Sequence, residues 1–519
     1  MSPSDPDNQT VQKPVLVTGA TGYVAGRLIP LLLDSGYTVR AMGRSLEKMA
    51  SRPWAVHPRI QLARGDIGDI ASLGKAVRGC GAVYYLVHSM ISQKGKYRHA
   101  DMIGARNMAA AAAAEKADHI IYLGGLGDIN HRNISRHLIS RNEVGKILAQ
   151  GSVPVTVLRA AMILGSGSAS FEILRYLAER LPMMITPKWV NMPTQPIAIT
   201  NVLGYLKGCL EHPETRGRTF DIGGPDVVSY RDLFYIFAQT AGLPKPLLIP
   251  VPVLSPKFSA LWIHLITPVP AAIAGPLTQG LSIPTVCREN TITTIIAQDL
   301  ITCSEAIKRA LDRINHQEVT TCWADAGAMA FPEWTHCGDS SYSGGTLLEC
   351  GFRATVNGTP QALWPAMEPL FKGNGCYTTS GPWRLRGLLD RFAGGPGLKR
   401  GRRPDKHLQP GDTLDFWRVL KVNPLAMVLL ADEMKMPGQA LLEIKITPLD
   451  NQCCELTILS RFRPKGLAGI AYWYLFYPFQ QYVYARMLRD MVRITGLEMP
   501  SGPARFTSII QRACMVKGK

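Results

Sequence analysis

The chain has 519 residues, of which 46% are hydrophobic and 18% are charged, and its formal net charge is +18. This composition excludes a disordered protein and predicts two or three globular domains, while the positive charge permits an anionic cofactor, nucleic acid or membrane as partner and selects none of them. The eleven cysteines include no CxxC pair, the amino terminus is polar, and no apolar run reaches the roughly 18 residues of a spanning helix, so we expect a cytoplasmic protein without a signal peptide.

A strand, a glycine-rich turn and a helix are predicted at the amino terminus. Residues 14–18 form a short β-branched run, the turn follows over 19–26, and apolar residues recur at helical spacing up to Gly36. Gly19 permits a tight turn, and Gly22 lets the backbone approach a pyrophosphate at the amino end of the helix. This order of elements is the context that a dinucleotide-binding site requires.

Four more strands, separated by helical stretches, predict a parallel, doubly wound α/β sheet. Arg44 follows the second strand, where an NAD site would place a carboxylate, and with Arg40 and Lys48 nearby it favours a 2′-phosphate and hence NADP. Asp66 follows the third strand, where it is placed to accept a hydrogen bond from an adenine amino group. The four strands are predicted over residues 38–42, 60–63, 82–87 and 119–123.

Three motifs resemble those of the extended short-chain dehydrogenases/reductases, and most closely the atypical, NmrA-like branch. They are residues 18–24 (TGATGYV), the pair Gly65-Asp66, and residues 220–225 (FDIGGP), within a resemblance that covers residues 14–300. The resemblance implies a Rossmann-type domain that binds NADP(H). It also implies the residues that contact the cofactor, which are Gly19, Thr21, Gly22, Tyr23, Val24, Arg44, Asp66, Ile67, Leu86, Val87, His88, Lys146 and Met162.

The catalytic residues of that family are only partly present. Its dehydrogenases use a tyrosine four residues before a lysine, and the lysine lowers the tyrosine pKa and holds the nicotinamide ribose. Here Lys146 is present, Asn142 stands in the tyrosine position, and glycine replaces the serine that follows the fifth strand. Lys146 and His88 are the candidate catalytic residues, and Tyr97 and His137 are alternative proton donors.

A sixth strand over 155–159 runs into a loop at Met162, which the resemblance places beside the nicotinamide. The segment that follows, 171–200, is expected to form the substrate region. Trp189, Met183 and Met184 are its candidate apolar lining, and packing of the methionines in the core is the alternative.

The segment 247–284 is rich in proline and apolar residues, and its prolines break any spanning helix. Two interpretations remain open. The segment either forms a hydrophobic flap over the cofactor cleft or makes a peripheral contact with an anionic membrane surface.

From about residue 320 the pattern changes to antiparallel strands that are closed by one long helix over 479–495. This order resembles the START-like helix-grip fold, in which an apolar cavity lies between the sheet and the helix. The aromatic run 471–479 fits a ligand cavity, a membrane interface or the packing of the helix on the sheet. The strands are predicted over 413–422, 426–430, 440–447 and 453–462.

Two further clusters carry no strong signal. The basic loop 399–403 is surrounded by glycine and lacks aromatic partners, which favours a solvated loop or a contact with anionic headgroups over nucleic acid. No metal site is expected, because the spacing of Cys322, His336, Cys337 and Cys350 matches no paired zinc arrangement.

The sequence thus predicts an NADP(H)-binding domain over 14–300 and a START-like domain over 320–500. The favoured function is an NADP(H)-dependent oxidoreductase for a bulky apolar substrate such as a lipid, quinone or isoprenoid. Two alternatives stay open: a redox sensor that binds NADP(H) without turning over a substrate, and a lipid-binding protein of the membrane surface.

Overall fold

The protein was analysed as a computed structural model, which describes residues 13–88, 97–132, 134–251, 263, 271–315, 347–367, 387–388, 390–391, 397, 408–414, 416–450 and 452–506. The chain divides into two compact units, residues 1–327 and residues 328–519. Tyr97 begins a helix, but its side chain lies outside the described residues. So do the basic loop 399–403, three of the four candidate metal ligands, and residues 252–262 and 264–270 of the proline-rich segment.

The first unit is built on a sheet of seven parallel strands in the order β11-β6-β5-β4-β1-β2-β3. The predicted Rossmann-type α/β fold is confirmed. The strands of this unit are β1 (Val15–Thr18), β2 (Val39–Gly43), β3 (Ile60–Arg64), β4 (Ala82–Tyr85), β5 (His119–Gly125), β6 (Val155–Ala160), β7 (Ile163–Leu164), β8 (Met183–Pro187), β9 (Pro193–Thr194), β10 (Ile197–Ala198), β11 (Thr219–Ile222), β12 (Val228–Ser229) and β13 (Leu247–Val251).

Helices cover both faces of the sheet, as parallel strands with apolar residues on both sides require. Leu28 and Leu206 belong to the apolar cluster on one face, and Met108 and Val144 belong to the cluster on the other. The helices are α1 (Ala25–Asp34), α2 (Leu46–Ala50), α3 (Ile70–Val77), α4 (Tyr97–Ala114), α5 (Arg136–Ala149), α6 (Ala169–Arg180), α7 (Ile199–Glu211), α8 (Tyr230–Thr240), α9 (Ala271–Gly280), α10 (Ile292–Ile295) and α11 (Cys303–Asn315).

The strand order reverses between β1 and β4, and this is where crevices form in doubly wound sheets. The Thr18 hydroxyl bridges the two strands at this point: it donates to the Tyr84 carbonyl at 2.9 Å and accepts from the Leu86 amide at 3.0 Å. The Leu86 amide is therefore taken by a side chain instead of a strand neighbour. For this reason β4 ends at Tyr85, two residues before the predicted end.

The second unit contains an antiparallel sheet in the order β15-β16-β17-β18-β19-β14-β20. Its helices are α12 (Pro360–Leu363) and α13 (Gly466–Thr495), and α13 contacts β14, β19 and β20. The buried side chains of Tyr484, Met487 and Met491 join α13 to the apolar core of the sheet. The strands are β14 (Leu348–Asn357), β15 (Thr413–Leu414), β16 (Trp417–Asn423), β17 (Met427–Asp432), β18 (Gly438–Pro448), β19 (Cys453–Pro464) and β20 (Glu498–Phe506).

The final helix begins at Gly466, thirteen residues before its predicted start at Phe479, so the whole aromatic run lies on α13. Within this run Trp473 is buried and stacks on Phe462 at 5.4 Å between ring centroids, while Leu475 is 75% exposed. The run therefore divides between a face that packs on the sheet and a face in solvent. Among the described residues no helix has the length and hydropathy to cross a membrane, and no cluster of metal ligands is present.

Candidate functional site

The turn after β1 has the geometry of a phosphate cradle. Gly19 has a φ of +66°, and its carbonyl accepts a hydrogen bond from the Gly22 amide at 2.7 Å. A Cβ atom on Gly19 would lie 3.2 Å from Val87 Cγ2 and 3.4 Å from the Leu86 carbonyl oxygen. Only glycine therefore satisfies both the backbone conformation and the close approach of the segment after β4.

Helix α1 begins directly after this turn, and its cap residue Val24 offers no side-chain oxygen to the first-turn amides. Uncapped amides at a helix amino terminus bind anions, because they combine free donors with the positive end of the helix dipole. Residues from Thr21 to Val24 therefore fit the pyrophosphate of a dinucleotide, as the sequence predicts.

Arg44 is exposed immediately after β2, and no described residue makes a hydrogen bond or an ion pair with its side chain. The two neighbouring cations that the sequence grouped with it are used elsewhere. Arg40 donates to Gln61 Oε1 at 2.9 Å and to two carbonyl groups at the end of α3, and Lys48 is buried. Of the three basic residues, Arg44 alone retains an uncommitted guanidinium for a ribose phosphate.

The loop after β3 is held rigidly at the expected adenine end. One carboxylate oxygen of Asp66 accepts from the Gly68 amide at 2.8 Å, and the Asp66 amide donates to the Ser72 hydroxyl at 3.0 Å. The Ile67 carbonyl accepts from Asn107 Nδ2 at 2.9 Å. Asp66 is exposed and its second carboxylate oxygen is not used in these bonds, so the loop presents an acceptor.

A cavity of about 360 Å³ lies beyond the carboxyl ends of β4, β5 and β6. Tyr23 and Val24 of the dinucleotide turn form part of its wall, together with Leu86, His88 and Met162. The rest of the wall is mainly aliphatic and aromatic. It includes Leu123, Leu126, Leu138, Ala160, Ala161, Ile163, Ile173, Leu174, Leu177, Trp189, Leu233, Phe234, Ile263, Leu277 and Leu281.

The two methionines predicted to line the substrate region do not do so. Both lie on β8, where successive side chains point to opposite sides of the strand. Met184 is buried behind the cavity wall in an apolar cluster with Leu248, and Met183 is 56% exposed. Trp189, by contrast, lines the cavity as predicted.

Three basic side chains meet at the end of the cavity beside β5. Arg141 Nε donates to His137 Nε2 at 3.0 Å, and an Arg141 terminal nitrogen donates to the Leu123 carbonyl at 3.3 Å. His88 also hydrogen-bonds to the backbone of Leu123. All three side chains line the cavity.

Burial makes both imidazoles neutral. Burial and the positive charge of Arg141 together lower the pKa of His137 to about 3. Burial, Arg141 and His137 together hold the pKa of His88 well below its ordinary value. Because His137 Nε2 accepts a hydrogen bond from Arg141, the single proton of this imidazole lies on Nδ1.

The structure does not bring Lys146 to this site, since its side chain is exposed and does not line the cavity. Asn142 is also absent from the cavity wall. His137 and Arg141 occupy it instead, with the same four-residue spacing as the tyrosine and lysine of the resembling family. Arg141 is not among the site residues predicted from the sequence. The four-residue spacing of His137 and Arg141 on α5 is the sequence feature that points to the pair.

Comparison with known proteins agrees with this architecture. Residues 19–175 match a family described as NAD(P)H-binding, and residues 344–487 match a family described as a protein of unknown function, DUF2867. Cinnamoyl-CoA reductase 1 of Petunia hybrida is 28% identical over 119 residues, which are 22% of this chain and only 36% of that protein. Cinnamoyl-CoA reductase 2 of Arabidopsis thaliana is 24% identical over 242 residues, which are 40% of this chain and 71% of that protein.

Among solved structures, the triphenylmethane reductase of Citrobacter sp. is 19% identical, with a TM-score of 0.47, and the match covers 58% of this chain and 99% of that one. The first unit thus has a Rossmann-type fold, its residues 19–175 match a family described as NAD(P)H-binding, and 40% of the chain is similar in sequence to a protein named as a reductase.

Proposed function

We propose that the protein is an NADPH-dependent reductase of a bulky apolar substrate. One observation carries this proposal: Tyr23 and Val24 belong both to the dinucleotide turn and to the wall of the apolar cavity. A ligand in the cavity would therefore lie against the cofactor. The cavity volume of about 360 Å³ falls in the range of small-molecule sites.

In this proposal NADPH, when bound, supplies a hydride. The chain's own residues bind, orient and shield the substrate. The aliphatic wall formed by residues such as Leu174 and Leu177 excludes water, while His88, His137 and Arg141 present polar atoms at one end. A few polar groups in an apolar pocket fix the orientation of a ligand.

The preference for NADPH over NADH is proposed from Arg44. We expect Arg44→Ala to weaken NADPH binding by about tenfold or more, since a charge-assisted contact with phosphate is lost, and to leave NADH binding unchanged. The matched control is Lys75→Ala, which removes an exposed cation from α3. Equal weakening of both cofactors, or equal effects of the two substitutions, would contradict the role of Arg44.

The reductase itself is tested by denaturing freshly purified protein and identifying the released small molecules by mass spectrometry. NADP(H) together with an apolar molecule supports the proposal, and the molecule is then assayed for NADPH consumption. Ile173→Trp, which fills the cavity, should abolish retention of the apolar molecule while NADPH still binds. Tight NADPH binding without consumption of NADPH in any extract would favour the redox sensor instead.

A peripheral membrane contact is a second proposal, and it is favoured by the ribbon of β8 and β13. These strands pair in parallel, and their outward side chains are apolar: Met183, Ile185, Leu247 and Ile249 are 39–59% exposed. Their inward neighbour Leu248 packs in a cluster with Leu177 and Ile263, which line the cavity. An apolar surface patch next to an apolar cavity suits a substrate taken from a lipid layer.

Flotation with vesicles of phosphatidylglycerol and phosphatidylcholine tests this contact. The double variant Met183→Ser, Ile185→Ser should float less than the wild type, and rising salt should weaken whatever part of the binding is electrostatic. Leu449→Ser removes a similarly exposed apolar side chain from the second unit and is the control. Equal flotation of all three proteins would exclude the ribbon as the contact.

For the second unit we propose a START-like role, the binding of an apolar ligand between sheet and helix. The antiparallel sheet packed on the 30-residue helix α13 supports it. A photoactivatable diazirine analogue of decanoic acid tests the idea on the full chain. Labelled peptides within 347–506 would support ligand binding by this unit, and labels confined to 13–315 would contradict it.

A further inference from the structure

The guanidinium of Arg141 is a positive charge at the wall of an apolar cavity, and it makes no described salt bridge. No acidic side chain of the described residues lies within salt-bridge distance of it, and the charge of the buried Asp101, which raises the pKa of Arg141, acts from a longer distance. Its hydrogen bonds go to neutral acceptors, the Leu123 carbonyl and His137 Nε2. Burial lowers the pKa of Arg141, yet the group stays charged at neutral pH because its ordinary pKa is far higher.

Burying a cation is costly unless an anion or a set of acceptors compensates it. Arginine carries five N–H donors, and only two bonds from this side chain are made within the described chain. The Nδ1 proton of His137 also has no described acceptor. Two sets of donors thus remain unused on residues that line one end of an otherwise aliphatic wall.

We propose that the cavity binds an apolar ligand that carries an anionic oxygen, with this oxygen held by Arg141 and by the Nδ1 proton of His137. The apolar body of the ligand occupies the part of the cavity lined by Leu174, Leu177 and Ile263. Arginine suits the oxygen site because its planar fork of donors matches a carboxylate. A ligand oxygen at this position would give the Arg141 guanidinium an anionic hydrogen-bond partner, whereas both of its described acceptors are neutral.

This inference deepens the proposed function: the role of the anion site in catalysis rests on the proposed reductase activity. When a hydride adds to the β-carbon of a conjugated carbonyl compound, the electron pair of the C=C bond shifts to form an enolate, and its negative charge falls on the carbonyl oxygen. Arg141 and His137 would stabilise that oxygen by hydrogen bonds. A proton from water then completes the product at the α-carbon.

His137 acts here as a hydrogen-bond donor and not as an acid. Loss of its Nδ1 proton would leave an imidazolate, because Nε2 already accepts from Arg141 and carries no proton. The site therefore favours substrates for which hydride addition gives a stabilised enolate, such as conjugated carbonyl compounds, over simple ketones, whose alkoxide needs a proton on oxygen at once.

The test compares decanoate with decanol by isothermal titration calorimetry of the full chain without added cofactor. We expect decanoate to bind more tightly, and Arg141→Met to weaken decanoate by about 10-fold or more, as expected for a charged hydrogen-bond partner, with decanol changed by less than about threefold. Arg141→Lys keeps the charge but loses the planar fork of donors, so its decanoate affinity should fall between those of the wild type and Arg141→Met, with decanol unchanged. Arg136→Met removes an exposed arginine from the same helix and should change neither ligand.

A second readout follows the imidazole itself. In ¹⁵N NMR spectra, decanoate should shift the Nδ1 resonance of His137, whereas decanol should not, and the assignment is made with His137→Gln. NADPH affinity and the thermal midpoint of each variant verify that it is folded. Should Arg141→Met fail to fold, Arg141→Lys and the NMR shift still decide the question.

The inference and the proposed function fail separately. Equal binding of decanoate and decanol, together with an unmoved His137 resonance, would overturn the oxyanion site even if NADPH is consumed with another substrate. Selective decanoate binding would support the site even if no NADPH oxidation is ever observed. Selective decanoate binding without NADPH oxidation would therefore support an apolar pocket that binds anions and contradict the proposed reductase activity.

Discussion

Gly19 meets two demands at once, a positive φ and close contact with the segment after β4. An L-residue in this left-handed conformation costs about 1–2 kcal/mol wherever it occurs. The contact of a new Cβ with Val87 Cγ2 at 3.2 Å is an added, local cost that falls on the cofactor site. The two costs can be separated by comparing Gly19 with a glycine that shares only the backbone strain.

We expect Gly19→Ala to lower the unfolding free energy by at least about 1 kcal/mol and to weaken NADPH binding by about tenfold or more, since the turn must move from its cradle geometry. The control is Gly217→Ala: its φ is +70° and a Cβ there would meet nothing within 4 Å. That variant should lose similar stability and keep its NADPH affinity. Fluorescence titration of NADPH and urea denaturation measure the two effects, and unchanged affinity in Gly19→Ala would refute the assignment.

At the same scale, the positions of the candidate cofactor residues are easier to predict from the sequence than those of the polar residues that line the cavity. Gly19, Gly22 and Arg44 follow strand ends, and the strand ends are readable from apolar runs. The position of His137 and Arg141 depends on which face of α5 meets the cavity. Lys146 satisfied the expected residue type, but only the packed helix places Arg141 at the wall and Lys146 in solvent.

Among the elements, the junction of β5 and β6 contains a buried histidine whose protonation state is determined by its neighbours. Thr156 Oγ1 donates to the Thr215 carbonyl at 2.7 Å, so it must accept from His119 Nε2, which lies 2.7 Å away. His119 Nδ1 is buried without a hydrogen-bond partner. Burial, with the nearby charge of Arg216, therefore lowers the pKa of His119 to about 4.

This depressed pKa predicts a loss of stability in mild acid. The unfolded chain takes up a proton near pH 6.5 and the folded chain only near pH 4, so stability is complete above pH 6.5 and falls as the pH drops between these values. The slope is up to about 1.4 kcal/mol per pH unit for this residue. In urea denaturation between pH 7 and pH 4.5, the unfolding free energy of His119→Gln should fall less per pH unit than that of the wild type.

Some acid sensitivity should persist in that variant, because His137 has a lowered pKa in the same direction. If the unfolding free energies of the two proteins fell equally with decreasing pH, the predicted effect of His119 would be contradicted. Thr156→Val is a useful companion, since it removes the acceptor of the His119 proton without altering the imidazole.

The elements themselves were largely predictable in the first unit, because each strand is a short apolar run between turns. The start of α13 was not. Proline is unfavourable inside a helix, and Pro478 lies directly before the predicted start at Phe479. In the structure Pro478 lies inside the helix, and the packing of Trp473 on Phe462 is a tertiary contact that no local pattern contains.

For the molecule as a whole, the two units have separate apolar cores. Among the residues that the structure describes, the clusters of the first unit extend to Leu311, and the cluster of the second runs from Leu348 to Met499. All proposed cofactor contacts lie in the first unit. A chain that ends at Asn315 should therefore fold and bind NADPH with an affinity within about twofold of the full chain, as expected of a domain with its own core.

Fluorescence titration of NADPH and near-ultraviolet circular dichroism of the shortened chain check this expectation. A shortened chain that is folded but does not bind NADPH would indicate that the second unit takes part in cofactor binding. The two-unit organisation follows in outline from the change of pattern near residue 320, whereas the distribution of core residues requires the folded chain.

The hydroxyl of Thr18 has a mechanical consequence. At the point where the strand order reverses, this one buried oxygen of β1 is hydrogen-bonded to Tyr84 and to Leu86, and so holds β1 against the end of β4. Separation of β1 from the end of β4 would break both hydrogen bonds. We therefore expect a dinucleotide to enter and leave through the loops that follow the strands, while β1 and β4 stay paired.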